Sequence, residues 1–343
     1  MTSNKTVAVY GAYGHTGRFV VSELRRRGWT PILSGRDAGK LQVFGTENPG
    51  LELRPASVDE PASLDRALAG AAAVINCAGP FASTSAPLIE AAMRARIPYL
   101  DVAAEIEANI DTFNLFADRA REAGIVVVHA MAFYGGLGDL LATAAMGDWT
   151  YADEISIAYG LDSWRPTPGT LIAGQVSKQR RDGRRVVFAD GKIAYTTEAA
   201  PATEWTFPAP LGKQPVIAEF TMADTVTISR HIKAPRIHSY MTAVAVRDLT
   251  DPNPQAPVAS DESGQSPQTF VLEVLARRGG EERRAIARGR DIYAFTAPLV
   301  VEAMARVVAG QVKGAGVFTA GEAFDARDFL ASLSPANLSV ELR

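Results

Sequence analysis

Along the first 130 residues, short apolar runs alternate with stretches whose apolar positions recur at helical spacing. VAVY (7–10) leads to a helical pattern over 16–27, then to TPILSG and LELRPAS. A helix over 61–68 precedes AAAVINCAG, one over 85–94 precedes IPYLDVA, and one over 110–123 precedes GIVVVHA. Strands alternating with helices predict a parallel sheet covered on both faces. Runs such as VVVH and AVINCA suit strands buried on both sides.

The pattern changes further on. From about 152 to 290 it favours strands, with hairpin signals at Asp182-Gly183, Asp190-Gly191 and Gly279-Gly280. Residues 251–267 are rich in Pro, Ser, Asp and Gln and read as a loop. Residues 296–309 read as a helix with Pro298 in its first turn, where a missing N–H costs little. The expected organisation is a parallel-sheet domain over 1–135 and a largely antiparallel α+β domain over 136–293. A C-terminal helical segment, about 294–343, is expected to pack back on the first domain.

Length and composition narrow the class. A chain of 343 residues, 47% hydrophobic, suits two domains with real cores. Its 35 basic and 38 acidic residues leave a net charge of −3, which advertises neither nucleic acid nor an anionic membrane as a partner. The single cysteine, Cys77, excludes an internal disulfide framework, and with four histidines no metal site is expected. No apolar run approaches the roughly 20 residues of a membrane span. The opening MTSNKTVAVYG lacks the apolar core of a signal peptide, so a cytoplasmic location is expected.

The most informative stretch is Gly11-Ala12-Tyr13-Gly14-His15-Thr16-Gly17, set between the first strand and the first helix. A helix N-terminus presents unpaired N–H groups and a partial positive charge, and it can meet a phosphate only where no side chain blocks the backbone. Three glycines at this junction, heading a series of βα units, form a relaxed dinucleotide fingerprint of the Rossmann type. The second strand then ends in Ser34-Gly35-Arg36, nineteen residues beyond Gly17. There Arg36 would pair with a 2′-phosphate, Ser34 would donate a hydrogen bond and Lys40 would add charge, which favours NADP(H). Asp37 leaves NAD open after a small shift of register, and the plain alternative for Arg36 is a surface charge. Ser57 and Val58 are expected beside the adenine. Asn76, Cys77, Ala78, Gly79 and Pro80 are expected beside the nicotinamide ribose, with Cys77 as a small buried residue and not a nucleophile.

GAYGHTGRFV, LSGRDAGKL, VINCAGPF and PYLDVAAE, in that order, resemble the saccharopine dehydrogenase-like oxidoreductases. The C-terminal GRDIYAFTAPLVVEAMARVVAG and GVFTAGEAFDARDFL are similar to the end of the family's shorter members. The resemblance covers roughly the first 140 and last 60 residues and implies an NADP-binding domain and an oxidoreductase. The family includes amino-acid-forming imine reductases and trans-acting enoyl reductases of lipid assembly. Two departures fall where substrate is expected. The family's Thr-Gly pair is Ala103-Ala104 here, and its Gly-Phe-Asp-like block reads Ala132-Phe133-Tyr134-Gly135-Gly136.

In an open α/β sheet the reacting atoms lie beyond the carboxyl ends of the strands. Tyr134, flanked by two glycines, is a candidate acid or else a tyrosine packed at the domain hinge. His129 is a candidate catalyst, although a histidine closing a buried strand is more often structural. Glu105 is a third candidate for the chemistry, or else faces solvent. Asp101, Phe81 and Arg165 are candidate substrate contacts, Asp101 otherwise capping backbone amides. Asp139 reads as the N-cap of a helix over 140–146. The basic runs around Asp182-Gly183 and Gly279-Gly280 read as solvated hairpin tips. The expected activity is NADP(H)-dependent reduction of a C=N or C=C bond in a small or carrier-tethered metabolite. The alternative is a non-catalytic NADP(H)-binding regulator. An exposed sheet in the second domain offers a surface for a homodimer.

Overall fold

The computed structural model describes residues 5–343, so the first four residues of the opening segment lie outside the described residues. Its first half alternates strand and helix. The elements are β1 (Thr6–Tyr10), α1 (His15–Arg26), β2 (Thr30–Gly35), α2 (Ala38–Glu47), β3 (Glu52–Pro55), α3 (Pro61–Leu68), β4 (Ala73–Asn76), α4 (Phe81–Ala95), β5 (Tyr99–Asp101), α5 (Ile106–Ala123) and β6 (Val126–Val128). A π-turn over Phe133–Leu137 and α6 (Gly138–Met146) follow. Then come β7 (Glu154–Leu161), α7 (Pro168–Arg180), β8 (Arg185–Ala189), β9 (Lys192–Thr196), β10 (Ala202–Thr206), β11 (Lys213–Ala218), α8 (Ala223–His231), β12 (Ile237–Thr242), α9 (Ala243–Thr250), β13 (Thr269–Arg278) and β14 (Glu281–Arg290). The chain closes with α10 (Ile292–Val308), β15 (Gly316–Phe318), α11 (Ala320–Ala323), α12 (Ala326–Leu333) and β16 (Ser339–Leu342).

Two compact units result. The first holds residues through Ala132 together with Thr296–Phe318. Its seven strands run β15-β6-β5-β4-β1-β2-β3, all parallel. The order 3-2-1-4-5-6 is that of a Rossmann sheet, extended here by β15. Val7, Ala8, Val9, Val74 and Ile75 have no exposed surface, as expected for strands covered on both faces. The second unit holds Phe133–Phe295 and Thr319–Arg343. Its seven-stranded sheet runs β10-β11-β12-β7-β13-β14-β16 and is antiparallel apart from the β12–β7 pair. β8 and β9 form a separate hairpin at Asp190-Gly191, and Gly279-Gly280 joins β13 to β14.

Several local expectations are corrected. The segment 294–343 divides, and only Thr296–Phe318 joins the first unit. α10 starts earlier than the pattern suggests because Asp291 Oδ1 accepts from the Tyr293 and Ala294 amides at 3.0 and 3.1 Å. Pro298 therefore lies inside the helix and not in its first turn. Asp182-Gly183 is no hairpin: the Asp182 and Gly183 amides donate to the carbonyls of Gln179 and Lys178, closing α7. The basic run there is a helix end leading into β8.

Candidate functional site

The glycines between β1 and α1 do three different jobs. Gly11 sits at φ 82°, and a Cβ there would stand 2.9 Å from the Ala78 Cβ. At Gly17 a Cβ would come within 2.2 Å of the Gly11 carbonyl oxygen, so its absence lets α1 start against the turn. Gly14 has an ordinary φ of −69°, and an added Cβ would meet nothing nearer than the Gly11 oxygen at 3.1 Å. It is the N-cap residue of α1, with no side-chain cap and no acidic residue in the first turn. Gly11 and Gly17 are thus demanded by packing, while Gly14 keeps a helix N-terminus bare. An approaching anion needs that bareness. Ala12 is fully buried, while Tyr13, His15 and Thr16 are half-buried.

The end of β2 carries the expected cations. Arg36 and Lys40 are exposed, and the buried Ser34 Oγ has no hydrogen-bond partner among the described residues. The Ser34 carbonyl accepts from the Gly11 and Ala12 amides at 2.9 and 3.1 Å, which ties the strand end to the glycine turn. Asp37 is committed elsewhere, since its carboxylate accepts from the Lys40 amide at 2.9 Å as the N-cap of α2. The Tyr13 hydroxyl accepts from the Asp37 amide at 3.1 Å, and its ring occupies the space a Cβ on Gly35 would need. An orphaned serine hydroxyl, an exposed guanidinium and a bare helix start fit a dinucleotide with a 2′-phosphate. Beyond β3, Ser57 and Val58 enter a turn in which Ser57 N–H donates to Ser63 Oγ at 3.0 Å.

At the ends of β4, β5 and β6 the side chains join into a buried chain. Asn76 Nδ2 donates to the hydroxyls of Thr84 and Tyr99 at 3.2 and 3.1 Å. The Tyr99 hydroxyl donates to Asp101 Oδ2 at 2.8 Å, and His129 Nδ1 stands 2.6 Å from the same oxygen. Asp101 Oδ1 accepts from the Ala103 and Ala130 amides at 3.1 and 2.8 Å. Burial pushes this carboxyl up, but the His129 ring, its hydrogen bond and the two amides outweigh it and hold Asp101 below its usual range. Four donors saturate the carboxylate. Asp101, expected as a substrate contact, is consequently engaged within its own unit, and Asn76 is likewise tied up by side chains and the Ala78 amide.

Glu105, expected as a catalytic group, is a cap. Its two oxygens accept from the Phe81 and Ala82 amides at 2.6 and 3.0 Å, which explains why α4 begins at Phe81. Phe81 packs with Ala103 and Ala108, an internal packing role and not a surface contact. The Cys77 thiol is pushed up by burial and by Asp101, so the cysteine remains a thiol. His129 has no exposed surface, and its Nε2 has no partner among the described residues.

The second unit holds the remaining candidates. Tyr134 is buried among Phe133, Tyr159 and Trp164, with ring centroids 4.9, 5.1 and 5.1 Å away. Its hydroxyl has no hydrogen-bond partner among the described residues, and burial raises its pKa well above the ordinary tyrosine value. Arg165 is exposed beside the buried Trp164. Asp139 is not an N-cap: it lies in the first turn of α6, 2.6 Å from His231 Nε2, and accepts from the Gly321 amide at 2.7 Å. Two groups escaped the sequence reading. Asp224 accepts a short hydrogen bond from the Tyr159 hydroxyl, and the Tyr293 hydroxyl accepts from Trp164 Nε1 at 3.2 Å. Neither pair has a signal in local spacing, because its members lie 65 and 129 residues apart. Tyr99 also escaped the sequence reading, although its spacing of two from Asp101 on a strand places both on one face.

Comparison with known proteins agrees with the first unit's geometry. Residues 7–128 match the family model of the saccharopine dehydrogenase NADP binding domain. Over this segment the chain is similar to that NADP binding domain. It is 29% identical over 142 residues to a probable mitochondrial saccharopine dehydrogenase-like oxidoreductase of Arabidopsis thaliana, covering 37% of this chain and 31% of the relative. A human saccharopine dehydrogenase-like oxidoreductase is 29% identical over 147 residues, covering 37% of this chain and 34% of that protein. The match therefore spans about a third of the curated relatives' length. In structure, the apo saccharopine dehydrogenase (L-Glu forming) of Saccharomyces cerevisiae superposes with a TM-score of 0.68 at 13% identity, covering 99% of this chain and 100% of that one. The two units thus have the fold of that chain. Among the described residues, no helix is long and apolar enough to cross a membrane.

Proposed function

We propose that the chain is an NADP(H)-dependent oxidoreductase that reduces a C=N or C=C bond of a small or carrier-tethered metabolite by hydride transfer. The observation that carries this reading is the bare α1 N-terminus at Gly14, with Arg36 exposed and Asp37 withdrawn into the α2 cap. The cofactor supplies the hydride when bound. The protein's part is to hold the diphosphate against backbone amides, pair Arg36 with the 2′-phosphate and donate a proton to the reduced product.

Tyr134 is the proposed donor, because its hydroxyl is unpartnered among the described residues and its raised pKa keeps it a neutral O–H at any physiological pH. His129, with Nδ1 held by Asp101 and Nε2 unpartnered, is the second choice. Arg165 is the proposed partner for a substrate carboxylate. One observation favours the rival reading of a non-catalytic NADP(H) binder: Tyr134 and His129 are buried, and the carboxylates of Asp101 and Glu105 are occupied.

Fluorescence titration tests the cofactor half. Arg36→Ala should weaken NADPH about tenfold, the worth of a charge-assisted hydrogen bond, and leave NADH unchanged. Equal loss for both nucleotides would remove the 2′-phosphate assignment. NADPH consumption with panels of imines and enoyl thioesters tests the chemistry. Tight NADPH binding without turnover on either panel would favour the rival.

A further inference from the structure

We propose that the Asn76–Tyr99–Asp101–His129 chain positions the nicotinamide half of the dinucleotide, acting through the backbone at the strand ends and not by touching the cofactor. The proposal rests on the NADP(H) reading of the glycine turn and deepens it. In a sheet of this order the diphosphate sits at the first helix, and the two mononucleotide halves lie over opposite sides of β1. Arg36 stands at the end of β2, so the adenosine half belongs over β2 and β3. The nicotinamide half then belongs over β4, β5 and β6, and the polar chain joins those three strand ends.

What the chain holds is backbone. Asn76 Oδ1 accepts from the Ala78 amide at 3.0 Å, and Thr84 Oγ1, itself a partner of Asn76, donates to the Ala78 carbonyl at 2.6 Å. Ala78 is thereby pinned on both its peptide groups. It is also the residue whose Cβ and backbone crowd Gly11, so the β4 loop is registered against the diphosphate turn. At the other end, Asp101 Oδ1 holds the amide of Ala130, whose φ of 57° is unfavourable for a residue with a Cβ. The Asp101 carbonyl takes the Met131 amide at 2.7 Å, fixing the turn after β6.

A sheet needs none of this for stability. Apolar side chains would pack the same space without the desolvation cost of a buried carboxylate and imidazole. A polar chain that pins the turns after β4 and β6 suits placement of a ligand to within fractions of an ångström.

The experiment compares NADPH with adenosine 2′,5′-bisphosphate, a probe that lacks the nicotinamide half. Tyr99→Phe removes the hydroxyl that links Asn76 to Asp101, and Asp101→Asn replaces the oxygen that takes Tyr99 and His129 with an amide NH2. In both variants the NADPH Kd should rise roughly fivefold while the bisphosphate Kd stays at the wild-type value. Bound NADPH should also show a smaller nicotinamide emission enhancement. If both ligands weaken equally, or neither does, the chain is structural only and the proposal is overturned. Should Asp101→Asn fail to fold, Tyr99→Phe decides alone. A wild-type protein that binds neither probe would reject the NADP(H) reading, a failure distinct from that of the positioning role.

Discussion

Asp101 in the first unit and Asp224 in the second are both almost wholly removed from water, yet their carboxyl groups go opposite ways. Asp101 has a histidine, a tyrosine hydroxyl and two backbone amides as partners, and is held below its usual range. Asp224 accepts from the Tyr159 hydroxyl on one oxygen, its other oxygen has no partner among the described residues, the Asp139 carboxylate is nearby, and burial pushes it up to about 6. Burial opposes ionisation in each. The number of donors and the sign of the nearest ionisable neighbour decide which way the balance falls.

Two measurements would break or sharpen that contrast, and a third tests the unpaired Tyr134 hydroxyl of the second unit. The largest effect is on stability. Asp101→Asn should cost about 3–5 kcal/mol in urea unfolding, because it strands the imidazole and sets an amide NH2 against the Tyr99 hydroxyl. Asp224→Asn at pH 7 should cost less than about 1 kcal/mol, since it removes a charge the site disfavours. Comparable losses in the two variants would refute the comparison.

The second effect is on pH dependence. A raised carboxyl binds its proton more tightly in the folded state, so the Asp224 contribution falls as pH rises from about 4 to about 6. The total is about 3 kcal/mol for a shift of roughly two units. Asp101, with a lowered value, contributes stability above its unfolded value near 3.9 and loses it as pH falls through the lower folded one. Urea midpoints between pH 4 and 7 should therefore fall in the wild type from this source and flatten in Asp224→Asn. An unchanged slope in the variant would assign the titration elsewhere.

The smallest stability change is expected for Tyr134→Phe. Its hydroxyl has no partner among the described residues, so unfolding should shift by less than about 1 kcal/mol. As the proposed acid, its loss should lower turnover by roughly 100-fold or more. A variant destabilised by much more than about 1 kcal/mol that retains its rate would reverse the roles given to it here.

Much of the first unit could be read in advance because its signals are local. A glycine turn lies within seven residues, a buried strand is a run of β-branched residues, and Arg36 follows its strand directly. The charged candidates were harder. Asp37, Asp101 and Glu105 each looked available for a ligand, and each is taken by backbone amides: Asp37 by one three residues on, Glu105 by two more than twenty residues away. Sequence spacing does not reveal which amides a fold will leave unpaired, and so cannot foresee which carboxylates will be recruited to satisfy them.

The amino-acid order by itself determined the parallel sheet, the bare helix start and the cation at the second strand end, because each depends on neighbours within a few residues. Tertiary structure alone decided that Glu105 caps a distant helix, that the final segment divides after Phe318, and that Asp101 and Asp224 titrate apart. Those outcomes depend on which donors arrive from far along the chain, and desolvation makes every such arrival count.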